Sequence, residues 1–376
     1  MSNTIVLVDG NSLIHRAFHA TPPMTTTKGE LTNAVFAFAR MIFRALNTLQ
    51  PAYGVVAFDR RAPTFRHVEF DAYKAHRPSG PEGLFEQFGR VRELVEILGL
   101  QISELDGFEA DDVLGTLSAR AAEQGLEVVI VSGDTDALQL VSDQVRVLMP
   151  RKGMSDTVLY DPAAVVERYG LLPHQLIDFK ALKGDPSDNI PGVPGIGEKT
   201  AAKLLARWSD VDNLLAHLSE VEPRYAKAIT DAADTLAQAR HLVTIVRDAP
   251  IALDLTAARV DDYDSDKLDT FLRELEFRIP LNERPPRRLS PSRSAQIALF
   301  GATDTPLEET AQAVAASEDS AAEAEVGRGE YAVIDEAALP ALVERLEKSG
   351  GFALDVETTD VDPMRATLVG ISVSDA

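Results

Sequence analysis

The stretch Thr4-Ile-Val-Leu-Val8, which runs directly into Asp9, decides the fold class of this 376-residue chain. The same arrangement recurs at residues 53–58 before Asp59 and at residues 128–131 ahead of Asp134 and Asp136. Uninterrupted apolar runs of this length are typical of strands that are covered on both faces in a parallel sheet. The segments between the runs carry amphipathic helical patterns, as at residues 33–49. The sequence therefore predicts an α/β fold with a mostly parallel central sheet flanked by helices.

Acidic residues are concentrated where the predicted strands end. Because the carboxyl ends of parallel strands form one edge of the sheet, we expect these side chains to converge there. Crowded carboxylates repel one another unless a cation lies among them, and Mg²⁺ prefers oxygen ligands. The candidate metal ligands are Asp9, Asp59, Glu109, Asp111, Asp112, Asp134, Asp136, Asp185 and Asp188.

Each acid also has a purely structural interpretation. An Asp after a strand can cap a turn or helix, and Asp134 could form an Asx turn with Asp136. Acids at residues 109–112 could complement a helix dipole. So many placements on one edge favour metal binding, and two ions about 4 Å apart can stabilise both oxygens of a phosphoryl displacement.

The net charge of −22 argues at first sight against a nucleic-acid partner. However, residues 303–348 hold twelve acids and three bases, whereas residues 60–77 hold five bases and two acids. A phosphate backbone meets the local patch and not the total charge. The patch offers Arg66, Lys74 and Arg77 for a phosphate and Tyr73 or Phe65 for base stacking, unless it is a solvated charged loop.

A glycine-rich hairpin is predicted at Gly192-Val-Pro-Gly195-Ile-Gly197-Glu-Lys199-Thr200. It differs from a phosphate-binding P-loop because Glu198 precedes Lys199 and no strand comes before it. Glycines let a backbone approach a DNA phosphate closely, and helix N-terminal amides point at the phosphate. A helix–hairpin–helix that contacts DNA through Gly192, Gly195, Gly197, Lys199 and Thr200 is favoured over an ordinary αα-hairpin.

Composition and pattern suggest four segments: a catalytic domain at 1–170, a helical DNA-binding subdomain at 171–284, a flexible linker at 285–328 and a truncated domain at 329–376. The chain has no cysteine, no apolar run of about 18 residues and no signal region at its start. We expect a cytoplasmic location without a membrane partner. Because the chain stops within a strand-like run, we expect a fragment of a longer protein.

These motifs together resemble the 5′ nuclease domain at the N-terminus of bacterial DNA polymerase I, a relative of the flap endonucleases, over about residues 3–285. The strings that carry the resemblance include Leu7-Val-Asp9-Gly10, Glu109-Ala-Asp-Asp112, Gly133-Asp-Thr-Asp136 and Gly184-Asp-Pro-Ser-Asp188. The resemblance implies a PIN/resolvase-like fold. It also implies two Mg²⁺ or Mn²⁺ ions, the first held by Asp9, Asp59, Glu109, Asp111 and Asp112 and the second by Asp134, Asp136, Asp185 and Asp188.

The resemblance further implies that Arg66, Lys74 and Arg77 act on the scissile phosphate, that Arg16 is a further DNA contact, and that K⁺ assists the hairpin. Ala353-Leu-Asp355-Val-Glu357 resembles the first motif of a ribonuclease H-like 3′–5′ proofreading exonuclease. The remaining motifs of that exonuclease are missing, so neither proofreading nor polymerisation is predicted for this chain.

The expected function is a structure-selective 5′–3′ exonuclease and 5′-flap endonuclease of replication and repair. The expected enzyme is a monomer without a small-molecule cofactor that acts on 5′ flaps or nicked duplex ends. Three alternatives stay open: a non-catalytic DNA-binding scaffold, a DNA polymerase activity that belongs to the longer parent protein, and a dehalogenase-like phosphatase. The phosphatase is disfavoured because it needs Asp-x-Asp after the first strand, where this chain has Asp9-Gly10-Asn11.

Overall fold

The computed structural model describes residues 3–77, 81–151, 157–260 and 263–285, and the backbone of two strands between residues 352 and 375. The chain divides into two compact units, Met1–Thr303 and Asp304–Ala376. Within the described residues, no helix has the length and apolar character needed to cross a membrane.

The first unit is built on a single six-stranded sheet. Its strands are β1 (Thr4–Asp9), β2 (Tyr53–Ala57), β3 (Gln101–Ser103), β4 (Glu127–Val131), β5 (Val145–Pro150) and β6 (Thr157–Tyr160). The spatial order is β3-β2-β1-β4-β5-β6, and only β6 is antiparallel to its neighbour. The predicted parallel sheet is confirmed. The three long apolar runs predict β1, β2 and β4, whereas β3 has only three residues and β5 alternates between buried and half-buried positions.

Twelve α-helices are described, all in the first unit. They are α1 (Gly10–Ala20), α2 (Asn33–Leu49), α3 (Phe65–Glu69), α4 (Leu84–Ile97), α5 (Ala110–Glu123), α6 (Pro162–Tyr169), α7 (Gln175–Lys183), α8 (Glu198–Trp208), α9 (Val211–Ala216), α10 (Pro223–Asp231), α11 (Ala233–Val243) and α12 (Ser265–Glu274). Short 3₁₀ helices span Thr135–Leu140, Leu218–Glu220 and Leu281–Glu283. The helix predicted at residues 33–49 is confirmed as α2.

Two hydrophobic cores lie on opposite faces of the sheet. On β1, Ile5 and Leu7 belong to one core, while Val6 and Val8 belong to the other, and all four are fully buried. This alternation explains why the strand needs apolar residues at every position. The sheet is therefore covered on both sides, and its carboxyl edge remains as the open edge for a ligand.

The helices divide between these two cores. Side chains of α1, α2, α4 and α12 form the core that contains Val6, whereas α5, α7, α8 and α11 contribute to the core that contains Ile5. Phe271 and Leu272 of α12 are buried in the first of these cores. The chain thus returns from the helical segment to the sheet at residues 263–285.

The second unit contains two described strands, β7 (Phe352–Thr358) and β8 (Leu368–Asp375), which pair antiparallel. The residues of the proofreading-like motif, Asp355 and Glu357, both lie on β7. The predicted linker, apart from residue 285, lies outside the described residues.

Candidate active site

Acidic side chains converge on a cleft of about 430 Å³ at the carboxyl edge of the sheet. Seven of the nine predicted ligands line it: Asp9, Asp59, Glu109, Asp111, Asp134, Asp136 and Asp188. These residues come from four strand ends and from the loop after α7, so the parallel topology brings them together.

The first carboxylate is held at the junction of β1 and α1. Asp9 caps α1, because its Oδ1 accepts a hydrogen bond from the Ser12 amide at 2.9 Å. Its Oδ2 accepts one from the Ser132 hydroxyl at 2.7 Å. Burial raises the pKa of Asp9 to about 6, although these two serines oppose the rise.

Asp59 is oriented by the neighbouring elements. Its Oδ1 accepts a hydrogen bond from the Ala110 amide at 2.7 Å, and its Oδ2 accepts one from the Asn11 side chain at 2.8 Å. The Asp59 amide in turn donates to Asn11 at 3.1 Å. These bonds connect the ends of β1 and β2 to the start of α5 and fix the carboxylate at the cleft.

The segment after β4 forms a turn that carries two of the cleft carboxylates. The Asp136 amide donates to Asp134 Oδ1 at 2.9 Å, so the predicted Asx turn is present. Both carboxylates nevertheless line the cleft. Burial, reinforced by Asp134, raises the pKa of Asp136 to about 7. The turn and the position at the cleft are therefore compatible, because the same two acids form both.

Asp111 is the cleft carboxylate whose negative charge is least offset by neighbouring groups. Within the described part of the chain, no hydrogen bond or ion pair reaches its side chain. Burial raises its pKa well above the ordinary value, and the charges of Asp9, Asp134 and Asp136 raise it further. An oxygen-only donor set with this uncompensated charge fits a hard divalent cation.

A second group of acids lies around the loop after α7. Single carboxylate oxygens of Asp136, Asp185 and Asp188 all lie within 4.8 Å of one another, as a metal site requires. The ammonium of Lys180 contacts Asp136 and lies 2.6 Å from Asp185 Oδ2. Although burial opposes it, Lys180 lowers the pKa of Asp185 to about 2. Sequence reasoning missed Lys180, and its position five residues before Asp185 was the only signal.

Asp112 and Arg66 form a buried ion pair, which corrects both predicted roles. The Arg66 guanidinium donates to Asp112 at 2.6 and 2.8 Å and to the carbonyls of Leu242 and Thr244 at 2.8 Å. Asp112 also accepts from the amides of Glu109 and Val246. Because neither side chain lines the cleft, Asp112 is not placed as a metal ligand and Arg66 is not placed to contact a phosphate.

The side chain of Tyr73 is also buried in the protein interior. Its ring is buried edge-on against His67, and its hydroxyl lies 2.8 Å from Glu109 Oε2 and 3.1 Å from Asp188 Oδ2. A buried ring cannot stack on a base, so this part of the prediction is corrected. Tyr73 instead ties together two acids of the cleft.

Lys74 and Arg77 do line the cleft. Lys74 Nζ lies 2.6 Å from Glu109 Oε1, and Arg77 is paired with Asp188. Although burial opposes it, Lys74 together with Arg66 lowers the pKa of Glu109. Half of the Arg77 side chain is exposed, so it stands at the rim where a phosphate could reach it.

The glycine hairpin joins α7 to α8. A Cβ on Gly192 would lie 2.3 Å from the backbone of Lys183 and Gly184, so this close approach requires glycine. Gly195 has a positive φ of 81° and, like Gly197 and Lys199, is exposed. Val193 and Ile196 are buried beneath the turn. The hairpin thus exposes Gly195, Gly197 and Lys199, with the half-buried Thr200 beside them, while Gly192 packs against the end of α7.

Arg16 lies beside the acidic cleft and not within it. It lines a neighbouring groove with Gly133, Thr135 and Arg168, and its guanidinium donates to the carbonyl of Arg151. Gly133 and Thr135 line both cavities, so the groove adjoins the acidic cleft.

Two family models match consecutive parts of the chain. The 5′-3′ exonuclease N-terminal resolvase-like domain matches residues 4–170, and the 5′-3′ exonuclease C-terminal SAM fold matches residues 171–266. The chain belongs to the 5′-3′ exonuclease family. The resemblance, the fold class and the enzyme class predicted above are thereby confirmed.

Curated relatives of this 5′-3′ exonuclease chain are DNA polymerases I. That of Chloroflexus aurantiacus is 40% identical over 379 residues, which cover 98% of this chain and 40% of the relative. That of Bacillus caldotenax is 44% identical over 284 residues, which cover 74% of this chain and 32% of the relative. The chain thus spans well under half the length of these relatives.

Solved structures show the same fold. Bacteriophage T5 5′-exonuclease with bound zinc is 22% identical with a TM-score of 0.54, covering 73% of this chain and 98% of that one. The T5 flap endonuclease in a pseudo-enzyme-product complex with DNA and metal ions is 22% identical with a TM-score of 0.53, at the same coverage. At this identity the likeness supports the fold alone.

Proposed function

We propose that this 5′-3′ exonuclease cuts DNA phosphodiesters near the junction between a single-stranded 5′ flap and duplex DNA, with two Mg²⁺ or Mn²⁺ ions. The observation that carries the proposal is the cleft that Asp111 lines with six further carboxylates, where no described side chain offsets the charge of Asp111. A non-catalytic scaffold would have no use for this concentration of charge, which costs stability when no cation is present.

The carboxylates would hold the ions in two groups. The first group is Asp9, Asp59, Glu109 and Asp111, and the second is Asp134, Asp136, Asp185 and Asp188. When bound, two such ions supply an activated water and neutralise charge on the attacking and leaving oxygens. Asn11, Ser12 and Ser132 orient the first group through the hydrogen bonds to Asp59 and Asp9.

The basic side chains at the rim would bind the substrate. Lys74 and Arg77 would contact the scissile phosphate, since both line the cleft and Arg77 is half exposed. Hydrolysis with in-line attack by water would leave a 5′ phosphate and a 3′ hydroxyl. Arg16 would contact a strand that enters the adjoining groove.

The hairpin would bind the phosphate backbone of the duplex. Among the described residues, the amides of Glu198 and Lys199 at the start of α8 donate to no acceptor, whereas that of Thr200 donates to the Gly197 carbonyl. The two unpaired amides could donate to a phosphate, or to one that K⁺ bridges. Such contacts position a duplex without reading its sequence. The T5 structure that contains DNA and metal ions supports a DNA partner for this fold.

Several finer features belong to the same proposal. The enzyme would act as a cytoplasmic monomer on 5′ flaps and nicked duplex ends during replication and repair. The polymerase activity in the names of the relatives is proposed only for a full-length protein, because this chain spans 40% of the Chloroflexus relative.

The test is cleavage of an end-labelled 5′-flap duplex in Mg²⁺, with EDTA and Asp111→Asn as negative controls. Glu123→Gln is the matched variant, because it neutralises an exposed acid at the far end of the same helix. A short labelled product from the wild type and Glu123→Gln alone supports the proposal. Binding without cleavage in Mg²⁺ and Mn²⁺ refutes it and leaves a DNA-binding scaffold.

A further inference from the structure

A row of aromatic rings leads from the acidic cleft to the protein surface. His15, on α1, lines the cleft. Its ring meets Phe88 edge-on, with the centroids 6.2 Å apart, and Phe88 stacks against Phe85 with the centroids 6.0 Å apart and the planes at 28°. Phe85 and Phe88 lie near the start of α4, so the row connects the cleft wall on α1 to α4.

Phe85 is the outermost ring of this row and is exposed to solvent. It is 58% exposed, and among the described residues it is the one phenylalanine in the set of strongly exposed large apolar side chains. The core-facing positions of α4 are Leu84, Gln87, Val91 and Leu94, all buried. Phe85 lies off this face, so the packing of α4 does not account for an aromatic residue there.

The helix turn that carries the rings is firmly held. The buried side chain of Gln87 accepts hydrogen bonds from the amides of Ala34 and Val35 at 2.8 and 3.2 Å. It donates to Asn33 Oδ1 and to the Gly83 carbonyl, both at 3.1 Å. This network joins the starts of α2 and α4, so the rings form a surface that is ordered before any ligand arrives.

We propose that Phe85 and Phe88 form a stacking site for an unpaired nucleobase of the single strand that leaves the cleft. The inference deepens the proposed function, on which it rests. A strand held through its phosphates by Lys74 and Arg77 would have its bases free, and every base offers a flat π face to an exposed ring. His15 continues the aromatic wall between the phosphate contacts and the stacking site. Phe85 would thus perform the base stacking that the sequence predicts for Tyr73.

The experiment compares two 5′-flap substrates that differ only in the unpaired strand. One carries ordinary bases, and the other carries abasic residues at the flap positions next to the junction. For each, kcat/KM in Mg²⁺ is measured with wild type, Phe85→Ala and Phe85→Trp. Leu281→Ala is the matched control, because this side chain is 79% exposed but lies outside the aromatic row.

Phe85→Ala should lower kcat/KM on the ordinary flap by roughly tenfold through a higher KM. The wild type should lose a similar factor on the abasic flap, where Phe85→Ala should lose little more. Phe85→Trp and Leu281→Ala should behave as the wild type, and thermal unfolding should show that all variants are folded.

Equal losses by Phe85→Ala on both flaps, or no loss on either, would overturn the stacking site while leaving the nuclease intact. If the wild type cuts neither flap, the proposed function fails and the stacking site fails with it. The two proposals therefore fail in distinguishable ways.

Discussion

Removal of the Asp112 carboxylate should destabilise the fold by about 3–5 kcal/mol, because the buried Arg66 guanidinium loses its closest counter-ion and keeps Glu109 Oε2 only at 3.4 Å. Asp112 is fully buried and Arg66 is 3% exposed. The carboxylate accepts two hydrogen bonds from Arg66, at 2.6 and 2.8 Å, and one each from the amides of Glu109 and Val246, at 3.0 and 2.9 Å. Asp112→Ala thus leaves four donors without their acceptor.

Two further variants separate charge from shape. Asp112→Asn keeps the volume and one acceptor oxygen, so we expect a smaller cost of about 2 kcal/mol, comparable with one charged hydrogen bond. Asp212→Ala is the control for an exposed pair: Asp212 is 74% exposed and lies 2.8 Å from Arg240. Its removal should cost about 0–1 kcal/mol.

The assay is urea unfolding followed by circular dichroism, in EDTA and again in Mg²⁺. A cost for Asp112→Ala no larger than that of Asp212→Ala would refute the argument that Asp112 anchors the fold. A folded Asp112→Asn variant that Mg²⁺ no longer stabilises would restore Asp112 as a metal ligand, as the sequence predicts.

Three further outcomes are expected. Asp111→Asn should stabilise the metal-free protein and abolish its stabilisation by Mg²⁺, since it removes a repelled charge; a lower unfolding midpoint in EDTA would contradict this. The raised pKa values of Asp9 (about 6) and Asp136 (about 7) mean that the folded state keeps protons the unfolded state releases. Urea unfolding in EDTA should therefore show stability falling from about pH 4 to 8, and Mg²⁺ should reduce that fall; a flat profile would oppose it. Gly192→Ala should cost more than about 2 kcal/mol in urea unfolding through backbone overlap, whereas Gly89→Ala, in open space on α4, should stabilise by about 0.5–1 kcal/mol.

Much of the site could be predicted because strand ends are visible in the sequence. Asp9, Asp59 and Asp134 follow apolar runs, and a parallel sheet brings such ends to one edge. The hairpin could be predicted for a similar reason, since glycines in a turn between helices act locally. Gly192 bears this out, as it lies where no Cβ fits.

The sequence could not distinguish the roles of adjacent residues that carry the same functional group. Asp111 and Asp112 are adjacent on α5, but successive helical positions point about 100° apart. One side chain therefore faces the cleft, while the other faces Arg66 and the segment after α11. The sequence of residues 109–112 does not show which acid will accept a hydrogen bond from the amide of Val246, which lies 134 positions after Asp112.

The sequence by itself determined the α/β class, the strand-end acids, the glycine hairpin and the family, because hydrophobic periodicity and turn chemistry act over a few residues. Only the tertiary structure decided that Arg66 and Asp112 form an internal ion pair, that Lys180 contacts both Asp136 and Asp185, and that Phe85 is exposed at the outer end of the aromatic row. Burial and charge pairing depend on segments far apart in the chain. Their effects on a carboxylate or a ring therefore appear only once the helices have packed around the sheet.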